Sequence, residues 1–166
     1  MKYLVVGSNG QLGSELKVRL SSEADYKDHR SLDITDENTV ANFFKENSYD
    51  IVINCAAYTA VDKAEDDKET ADRVNRIGPA LLAKYGRNII HISTDYVFDG
   101  TAHTPYSETA PTNPQSIYGS TKLAGEKAAF QEAHSATIIR TSWLYSTHAI
   151  FFGFYGLSPS IQGDPK

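Results

Sequence analysis

A tyrosine and a lysine four residues apart, in the string Tyr118-Gly-Ser-Thr-Lys122, are the side chains of this sequence best placed to do acid–base chemistry. On a helix this spacing puts the phenol and the ammonium on one face, about one turn apart. We expect the nearby positive charge to lower the tyrosine pKa from about 10 toward the working pH. The phenol could then donate a proton to a carbonyl oxygen while a hydride reaches the carbon. Taken alone, such a pair is usually a solvated helix face.

A glycine-rich turn near the start of the chain could hold the phosphates of a dinucleotide. Residues Gly7 to Gly13 read Gly-Ser-Asn-Gly-Gln-Leu-Gly and follow the apolar run Tyr-Leu-Val-Val. In a strand–turn–helix unit one glycine permits the tight turn, another lets the pyrophosphate approach the backbone, and the third lets the helix pack on the strand. The other interpretation is a plain turn between a strand and a helix. The strand before the turn and the helix after it favour cofactor binding.

The residue that reads the cofactor ribose should lie about twenty positions further along the chain. Asp28 falls near the end of the predicted second strand, and Asp33 follows in Leu-Asp-Ile. Asp28 would favour the free 2′-hydroxyl of NAD, whereas Arg30 could meet the 2′-phosphate of NADP. The sequence leaves the choice between NADH and NADPH open.

Strands and helices alternate along the chain in the order that such a site needs. We predict strands at residues 2–6, 24–28, 50–56, 88–93 and 137–141. We predict helices along residues 12–20, after an N-cap at Thr35, over residues 62–85 and over residues 118–132. Repeated strand–helix–strand units give right-handed crossovers and a parallel sheet, so we expect a doubly wound, Rossmann-type α/β fold. The proline-containing segment at 99–117 is expected to be a long ordered loop beside the active site.

Composition narrows the classes of partner. The chain has 166 residues, and its 16 Lys+Arg against 21 Asp+Glu give a net charge of −5. Without a basic block, the charge of the chain does not favour nucleic acid or an anionic membrane as its main partner, and no apolar run approaches the ~18 residues of a membrane span. A single cysteine excludes a disulfide framework, and the scattered histidines predict no protein-held metal. We expect a cytoplasmic protein.

Five strings of the sequence together resemble the extended short-chain dehydrogenases/reductases, and within them the dTDP-4-dehydrorhamnose reductases. The resemblance covers residues 1–145. The strings are the glycine-rich turn, Asn-Cys-Ala-Ala-Tyr-Thr-Ala-Val-Asp-Lys-Ala-Glu from Asn54, His-Ile-Ser-Thr-Asp-Tyr-Val-Phe-Asp-Gly from His91, Tyr-Gly-Ser-Thr-Lys-Leu-Ala-Gly-Glu from Tyr118, and Arg-Thr-Ser-Trp-Leu-Tyr from Arg140.

The resemblance implies a reductase that converts the 4-keto group of dTDP-4-dehydro-6-deoxy-L-mannose to dTDP-L-rhamnose with NADPH or NADH, for cell-surface polysaccharide. By position it implies a catalytic trio of Thr94, Tyr118 and Lys122, and substrate contacts from Thr94, Asp95 and Trp143. It also implies a homodimer and a possible Mg²⁺, for which no site is visible in the sequence. The implied cofactor contacts are Gly7, Gly10, Gln11, Leu12, Gly13, Asp28, Asp33, Ile34, Ala57, Tyr58, Thr59, Ile92, Tyr118 and Lys122.

The chain departs from the family at three places. The connection between Leu82 and Asn88 is a few residues shorter than usual, the resemblance stops after Thr147, and residues 156–166 do not read as a continuation of the fold. We therefore predict a dinucleotide-binding domain over 1–147 and, over 148–166, only a remnant of the C-terminal substrate lobe. The lobe is either absent by natural truncation or omitted from the sequence. The second is favoured, because an uncovered apolar sheet face would promote aggregation.

Two other functions fit much of the same pattern. The regulatory subunit of methionine adenosyltransferase resembles this branch, binds a dinucleotide and acts by contact with a partner. Another sugar-nucleotide reductase or epimerase of the same superfamily is the further alternative. The intact trio of Thr94, Tyr118 and Lys122 favours an enzyme, since a protein that only binds has no need of it.

Overall fold

The computed structural model describes residues 1–145 and shows a sheet of five parallel strands. The strands are β1 (Tyr3–Val6), β2 (Ala24–Lys27), β3 (Ile51–Asn54), β4 (Asn88–Thr94) and β5 (Ser135–Thr141). They lie in the order β2-β1-β3-β4-β5, so the direction of winding reverses between β1 and β3. The predicted doubly wound parallel fold is confirmed. The predicted remnant at 148–166 lies outside the described residues.

Six α-helices connect these strands within residues 1–145. They are α1 (Gln11–Leu20), α2 (Glu37–Glu46), α3 (Val61–Asp66), α4 (Lys68–Asp72), α5 (Gly78–Gly86) and α6 (Ile117–Glu132). The single helix predicted over 62–85 is wrong in its continuity, because the segment divides into α3, α4 and α5. The helical run is interrupted at Asp67, between α3 and α4. After α4 the helix widens into a π-helical turn at Arg73–Ile77, in which the Asn75 side chain is buried.

The core lies on both faces of the sheet because alternate side chains of a strand point to opposite sides. On one face Leu4 and Val6 of β1 pack with Val52, Ile89 and residues of α5 and α6. On the other face Val5 packs with Ala24, Ile53 and the apolar side of α1. Each inner strand is therefore apolar on both sides, which explains the short uninterrupted apolar runs in the sequence.

The N-cap of α2 is Asp36, whereas the sequence predicted Thr35, so this prediction is wrong by one residue. The Asp36 carboxylate accepts a hydrogen bond from the Thr39 backbone N–H at 2.6 Å. Thr35 is already engaged, since its backbone N–H and its hydroxyl both donate to Asp33 Oδ1 at 2.9 and 2.8 Å. Both residue types are good caps. The preceding turn around Asp33 decides between them and moves the cap one residue along.

The connection between α5 and β4 is a single residue, Arg87. It has φ 66°, a left-handed conformation that is uncommon for a residue with a side chain. The Arg87 carbonyl accepts hydrogen bonds from the backbone N–H groups of His134 and Ser135, at 2.8 and 3.1 Å. The shortened connection seen in the sequence is therefore closed by a sharp turn, which also fixes the start of β5.

Candidate active site

A cleft of about 370 Å³ opens at the carboxyl ends of β1 and β3, where the winding of the sheet reverses. Ligands of open α/β sheets bind at this position. The glycine-rich turn, the end of β2 and the segment after β3 form its walls. Of the residues implied as cofactor contacts, the cleft is lined by Gly7, Gly10, Asp28, Asp33, Ile34, Ala57 and Tyr58.

The three glycines of the turn differ in what surrounds them. Gly7 has φ +77°, and a Cβ there would lie 2.5 Å from the Ala56 nitrogen. A Cβ on Gly13 would lie 2.4 Å from the Gly7 oxygen, so α1 can approach β1 only without a side chain at this position. A Cβ on Gly10 would meet only the Gly7 oxygen, at 3.3 Å. The fold therefore requires Gly7 and Gly13, whereas Gly10 leaves free space at the N-terminus of α1, as a bound phosphate needs.

Asp28 presents an ionised carboxylate to the cleft at the end of β2. Hydrogen bonds from the Ser31 side chain and backbone, and from the Arg30 backbone, lower the pKa of Asp28. The other carboxylate oxygen accepts from Asn9 Nδ2 at 2.7 Å, which joins Asp28 to the glycine-rich turn. The Arg30 side chain is exposed. The structure thus brings Asp28, rather than Arg30, to the wall of the cleft.

The remaining implied cofactor contacts lie around the cleft without lining it. Leu12 and Gly13 belong to α1, and Thr59 is exposed beyond Tyr58. Gln11 Nε2 donates to the Leu144 carbonyl at 2.7 Å, which links the glycine-rich turn to the segment after β5. Ile92 contributes its backbone carbonyl to Lys122.

Tyr118 lies in the first turn of α6, beside Thr94 at the end of β4. The start of α6 is fixed by Ser116, whose hydroxyl accepts from the Gly119 N–H at 3.1 Å, and by Glu65, whose carboxylate accepts from the Ile117 N–H at 2.8 Å. Burial raises the pKa of Tyr118, a hydrogen bond with the Thr94 side chain opposes this, and the charge of Asp95 adds to the rise. The predicted lowering by Lys122 is wrong in this structure. Burial has the larger effect, and the lysine nitrogen bonds elsewhere.

Lys122 is one of the most deeply buried side chains among the described residues, with 1% of its surface exposed. Its Nζ donates to the Ile92 carbonyl at 2.6 Å and lies 3.5 Å from Nε2 of His91. Burial lowers the pKa of Lys122 to about 8, against the opposing charge of Glu126. The amine can therefore gain or lose a proton near neutral pH.

Glu126, one helical turn beyond Lys122, ties α6 to two strands. Its carboxylate accepts from the Ser93 hydroxyl, from Arg140 Nε at 2.9 Å and from Arg140 Nη2 at 2.6 Å. Glu126 is 3% exposed, so the ion pair with Arg140 is largely shielded from water. The network holds the helix that carries Tyr118 and Lys122 against the carboxyl ends of β4 and β5.

Asn75, which the sequence analysis missed, connects the cleft to α6. It is fully buried in the π-helical turn, where its Oδ1 accepts from the Tyr58 N–H at 2.8 Å. Its Nδ2 donates to the Tyr58 carbonyl and to the Thr121 hydroxyl, both at 3.1 Å. The signal available in the sequence was an asparagine between Val74 and Ile77, on what would otherwise be an apolar helix face.

Of the three residues implied as substrate contacts, Thr94 is buried, whereas Asp95 and Trp143 are accessible to solvent. Asp95 is half-buried and accepts a hydrogen bond from the Thr94 hydroxyl at 3.2 Å. Trp143 is 68% exposed, so it is not a core residue within the described part of the chain. Cys55 lines the cleft as a half-buried thiol, and burial raises its pKa to about 12.

No group of three or more His, Cys, Asp or Glu side chains within residues 1–145 could hold a metal ion. No helix in the same range is long and apolar enough to cross a membrane.

Comparison with known proteins adds an independent line of evidence. The family described as the RmlD substrate binding domain matches residues 1–155. The chain belongs to this family. The resemblance inferred from the sequence strings is thereby confirmed.

Curated relatives of this RmlD-family chain include two that are named for sugar-nucleotide ketoreduction. A probable dTDP-4,6-dihydroxy-2-methyloxan-3-one 4-ketoreductase of Streptomyces antibioticus is 46% identical over 153 residues, covering 87% of this chain and 52% of the relative. A dTDP-4-dehydrorhamnose reductase of Mycolicibacterium smegmatis is 44% identical over 156 residues, covering 87% of this chain and 46% of the relative. The chain thus spans about half the length of these relatives.

Solved structures of the same kind superpose closely on the chain. A dTDP-4-dehydrorhamnose reductase from Clostridium acetobutylicum has a TM-score of 0.87 at 46% identity, over 91% of this chain and 56% of that one. The Bacillus anthracis dTDP-4-dehydrorhamnose reductase, solved in complex with NADP, has a TM-score of 0.82 at 38% identity, over 87% of this chain and 55% of that one.

The Glu126–Arg140 pair generates a stability prediction for this RmlD-family chain. Arg140→Met keeps the apolar stem but leaves the Glu126 carboxylate buried with only Ser93, so we expect a loss of roughly 2–4 kcal/mol of unfolding free energy. Urea unfolding followed by circular dichroism measures it. Lys84→Met, which breaks the exposed pair between Lys84 and Glu37, is the matched control and should have a much smaller effect. Equal losses in the two variants would contradict the structural importance of the buried pair.

Proposed function

We propose that this RmlD-family protein, over the full length that its relatives have, reduces the 4-keto group of dTDP-4-dehydro-6-deoxy-L-mannose to dTDP-L-rhamnose with NADPH or NADH. One observation carries the proposal. Tyr118, a proton donor, forms a hydrogen bond with the Thr94 side chain at the carboxyl end of β4, and the buried amine of Lys122 binds the Ile92 carbonyl of the same strand. They adjoin a cleft whose glycine-rich turn has room for phosphate.

The residues of the chain divide the work of such a reduction. When bound, the nicotinamide supplies the hydride that is added to the keto carbon. Tyr118 donates its phenolic proton to the keto oxygen, and the Thr94 hydroxyl donates a second hydrogen bond to that oxygen. The raised pKa of Tyr118 suits this role, because it keeps the phenol protonated at neutral pH. Asp95 and Trp143 are proposed to contact the sugar nucleotide.

The glycine-rich turn and Asp28 are proposed to hold the cofactor. The pyrophosphate would lie beside Gly10 at the N-terminus of α1, and the Asp28 carboxylate would accept the ribose 2′-hydroxyl. The position of Asp28 favours NADH, whereas the Bacillus anthracis relative was solved with NADP. We therefore propose binding of a reduced nicotinamide dinucleotide. We propose no Mg²⁺ site, because no group of three or more His, Cys, Asp or Glu side chains within residues 1–145 could hold the ion.

A second substrate is favoured by the Streptomyces antibioticus relative, whose name describes a 4-ketoreductase of another dTDP-linked sugar. Both candidate reactions reduce a ketone on a dTDP-linked sugar, and the same trio would serve either. A homodimer and a cytoplasmic location remain predictions from the sequence.

The proposed function is tested by following NADPH and NADH oxidation by absorbance with the full-length protein and each dTDP-ketosugar. We expect turnover with the rhamnose precursor, and little with a protein ending at Lys166, because the nucleotide end of the substrate positions the sugar and its walls are not among the described residues. Equal activity in the shorter protein would contradict the need for a further lobe. A folded full-length protein that binds cofactor but reduces neither sugar would favour a regulatory subunit.

Gly10→Val should weaken binding of the dinucleotide while the fold is retained. The valine side chain would occupy the free space beside α1, but the nearest neighbour of its Cβ is a single oxygen at 3.3 Å. Fluorescence titration with NADPH and NADH measures the affinity, and circular dichroism checks the fold. Gly10→Ala is the graded control and should lie between the wild type and Gly10→Val. Unchanged affinity in Gly10→Val would contradict the proposal that the cofactor binds at this turn.

Tyr118→Phe should lower turnover by roughly 10²–10⁴, because the ring still packs but the proton donor is gone. Affinity for the cofactor should be nearly unchanged in this variant. Lys122→Met should lower turnover and also weaken cofactor binding, since the resemblance places the lysine at the nicotinamide ribose. Steady-state kinetics and the same fluorescence titration separate the two effects. Wild-type turnover in Tyr118→Phe would mean that another group supplies the proton.

A further inference from the structure

Asn54 and His91 are buried polar side chains on adjacent strands for which the proposed reaction has so far given no role. Both are 0% exposed, and they lie opposite each other in the register of β3 and β4. Asn54 Nδ2 is 3.1 Å from His91 Nδ1, and His91 Nε2 is 3.5 Å from Lys122 Nζ. A line of polar groups therefore runs from β3 through the imidazole to the lysine.

The direction of the hydrogen bonds along this line is fixed at the Asn54 end. The Ala56 backbone N–H donates to Asn54 Oδ1 at 3.0 Å, so the amide oxygen must face Ala56. The amide nitrogen, which can only donate, then faces the imidazole. His91 Nδ1 must accept, and a neutral ring in this position carries its proton on Nε2. That N–H is directed at Lys122.

A donor aimed at the lysine nitrogen distinguishes the two protonation states of the amine. An ammonium group has no lone pair and cannot accept from His91, whereas a neutral amine can. The hydrogen bond from Lys122 to the Ile92 carbonyl is available to both states. The geometry of His91 therefore favours the neutral amine.

We propose that His91, held in its Nε2–H tautomer by Asn54, is a positioning residue that stabilises the neutral amine of Lys122. The catalytic part of the inference rests on the proposed function. In that reaction His91 sets the pH at which Lys122 exchanges its proton, and so the limb of the pH profile that depends on this amine. The neutral amine accepts from His91 Nε2–H while it still donates to the Ile92 carbonyl.

The other titratable groups that face Lys122 leave room for this role. The Glu126 carboxylate favours the ammonium, but it is already paired with Arg140. Cys55 is a neutral thiol because burial raises its pKa. Burial and the charge of Lys122 hold the pKa of His91 well below its usual value, so the ring stays neutral.

The tautomer can be tested without any activity, by ¹⁵N NMR of the histidine rings in the full chain. The His91 signals are assigned by their loss in His91→Gln. We expect the Nε2–H tautomer throughout the neutral pH range. The Nδ1–H tautomer, or a protonated ring at neutral pH, would overturn the proposal even if every variant below failed to fold.

The effect on Lys122 is tested by following its ¹³Cε chemical shift against pH, with the signal assigned by its loss in Lys122→Met. The wild-type midpoint should lie near 8. His91→Leu removes the donor and should raise the midpoint by about 0.5–1 unit. In Asn54→Asp the new carboxylate accepts from His91 Nδ1–H, so Nε2 becomes an acceptor for the Lys122 ammonium. The Lys122 midpoint should therefore also rise in this variant. His103→Leu, in the exposed loop, should leave it unchanged.

A fall or no change in the Lys122 midpoint in both His91→Leu and Asn54→Asp would overturn the proposal. In the full-length protein, the limb of the pH profile of kcat that depends on Lys122 should move upward with the NMR midpoint. A pH profile of kcat that stays fixed while the Lys122 midpoint moves would contradict a role of His91 in the reaction. An inactive wild type would instead contradict the proposed function, and the NMR results would still decide the role of His91.

Discussion

Burial of a lysine amine beneath α6 is the constraint on which the organisation of the site depends. A buried amine is costly unless it has polar partners. The Ile92 carbonyl and His91 can serve only if α6 packs very close to β4. Glycine lets α6 approach the backbone around it: a Cβ on Gly119 would lie 2.2 Å from the Tyr96 carbonyl oxygen, just after β4, and a Cβ on Gly125 would lie 2.0 Å from the Asn75 carbonyl oxygen in the π-helical turn. The ion pair of Glu126 with Arg140 then holds the helix at this distance.

Much of the fold could be predicted from the sequence because its signals are local. Uninterrupted apolar runs marked the inner strands, and leucines at helical spacing marked α1. The errors also have local causes. Thr35 and Asp36 are both competent caps, and the contact of Thr35 with Asp33 decides between them. The breaks within 62–85 follow from a tertiary requirement, since the π-helical turn directs Asn75 toward Tyr58 and Thr121, and no pattern within the segment encodes these partners.

The candidate site was predictable where its residues stand in recognisable strings, and obscure where they act through contacts distant in sequence. The glycine-rich turn, Asp28 and the trio of Thr94, Tyr118 and Lys122 could be named in advance. The direction of the pKa shift of Tyr118 could not be predicted, because spacing along a helix fixes the backbone position of a lysine but not the position of its amine. Lys122 bends toward β4, so burial rather than the neighbouring charge governs the phenol. Asn54 and His91 were hidden as ordinary polar residues inside strands.

The single-residue link at Arg87 has a consequence for how the family can vary in length. Successive residues of β4 face opposite sides of the sheet, with Ile89 in one core and Ile90 in the other. A residue inserted at the link and absorbed into β4 would exchange these faces and turn His91 away from Lys122. Longer connections can therefore be accommodated only as outward loops that still present a carbonyl to the start of β5. The end of the sheet remote from the cleft thus sets which chain lengths are compatible with the chemistry at the other end.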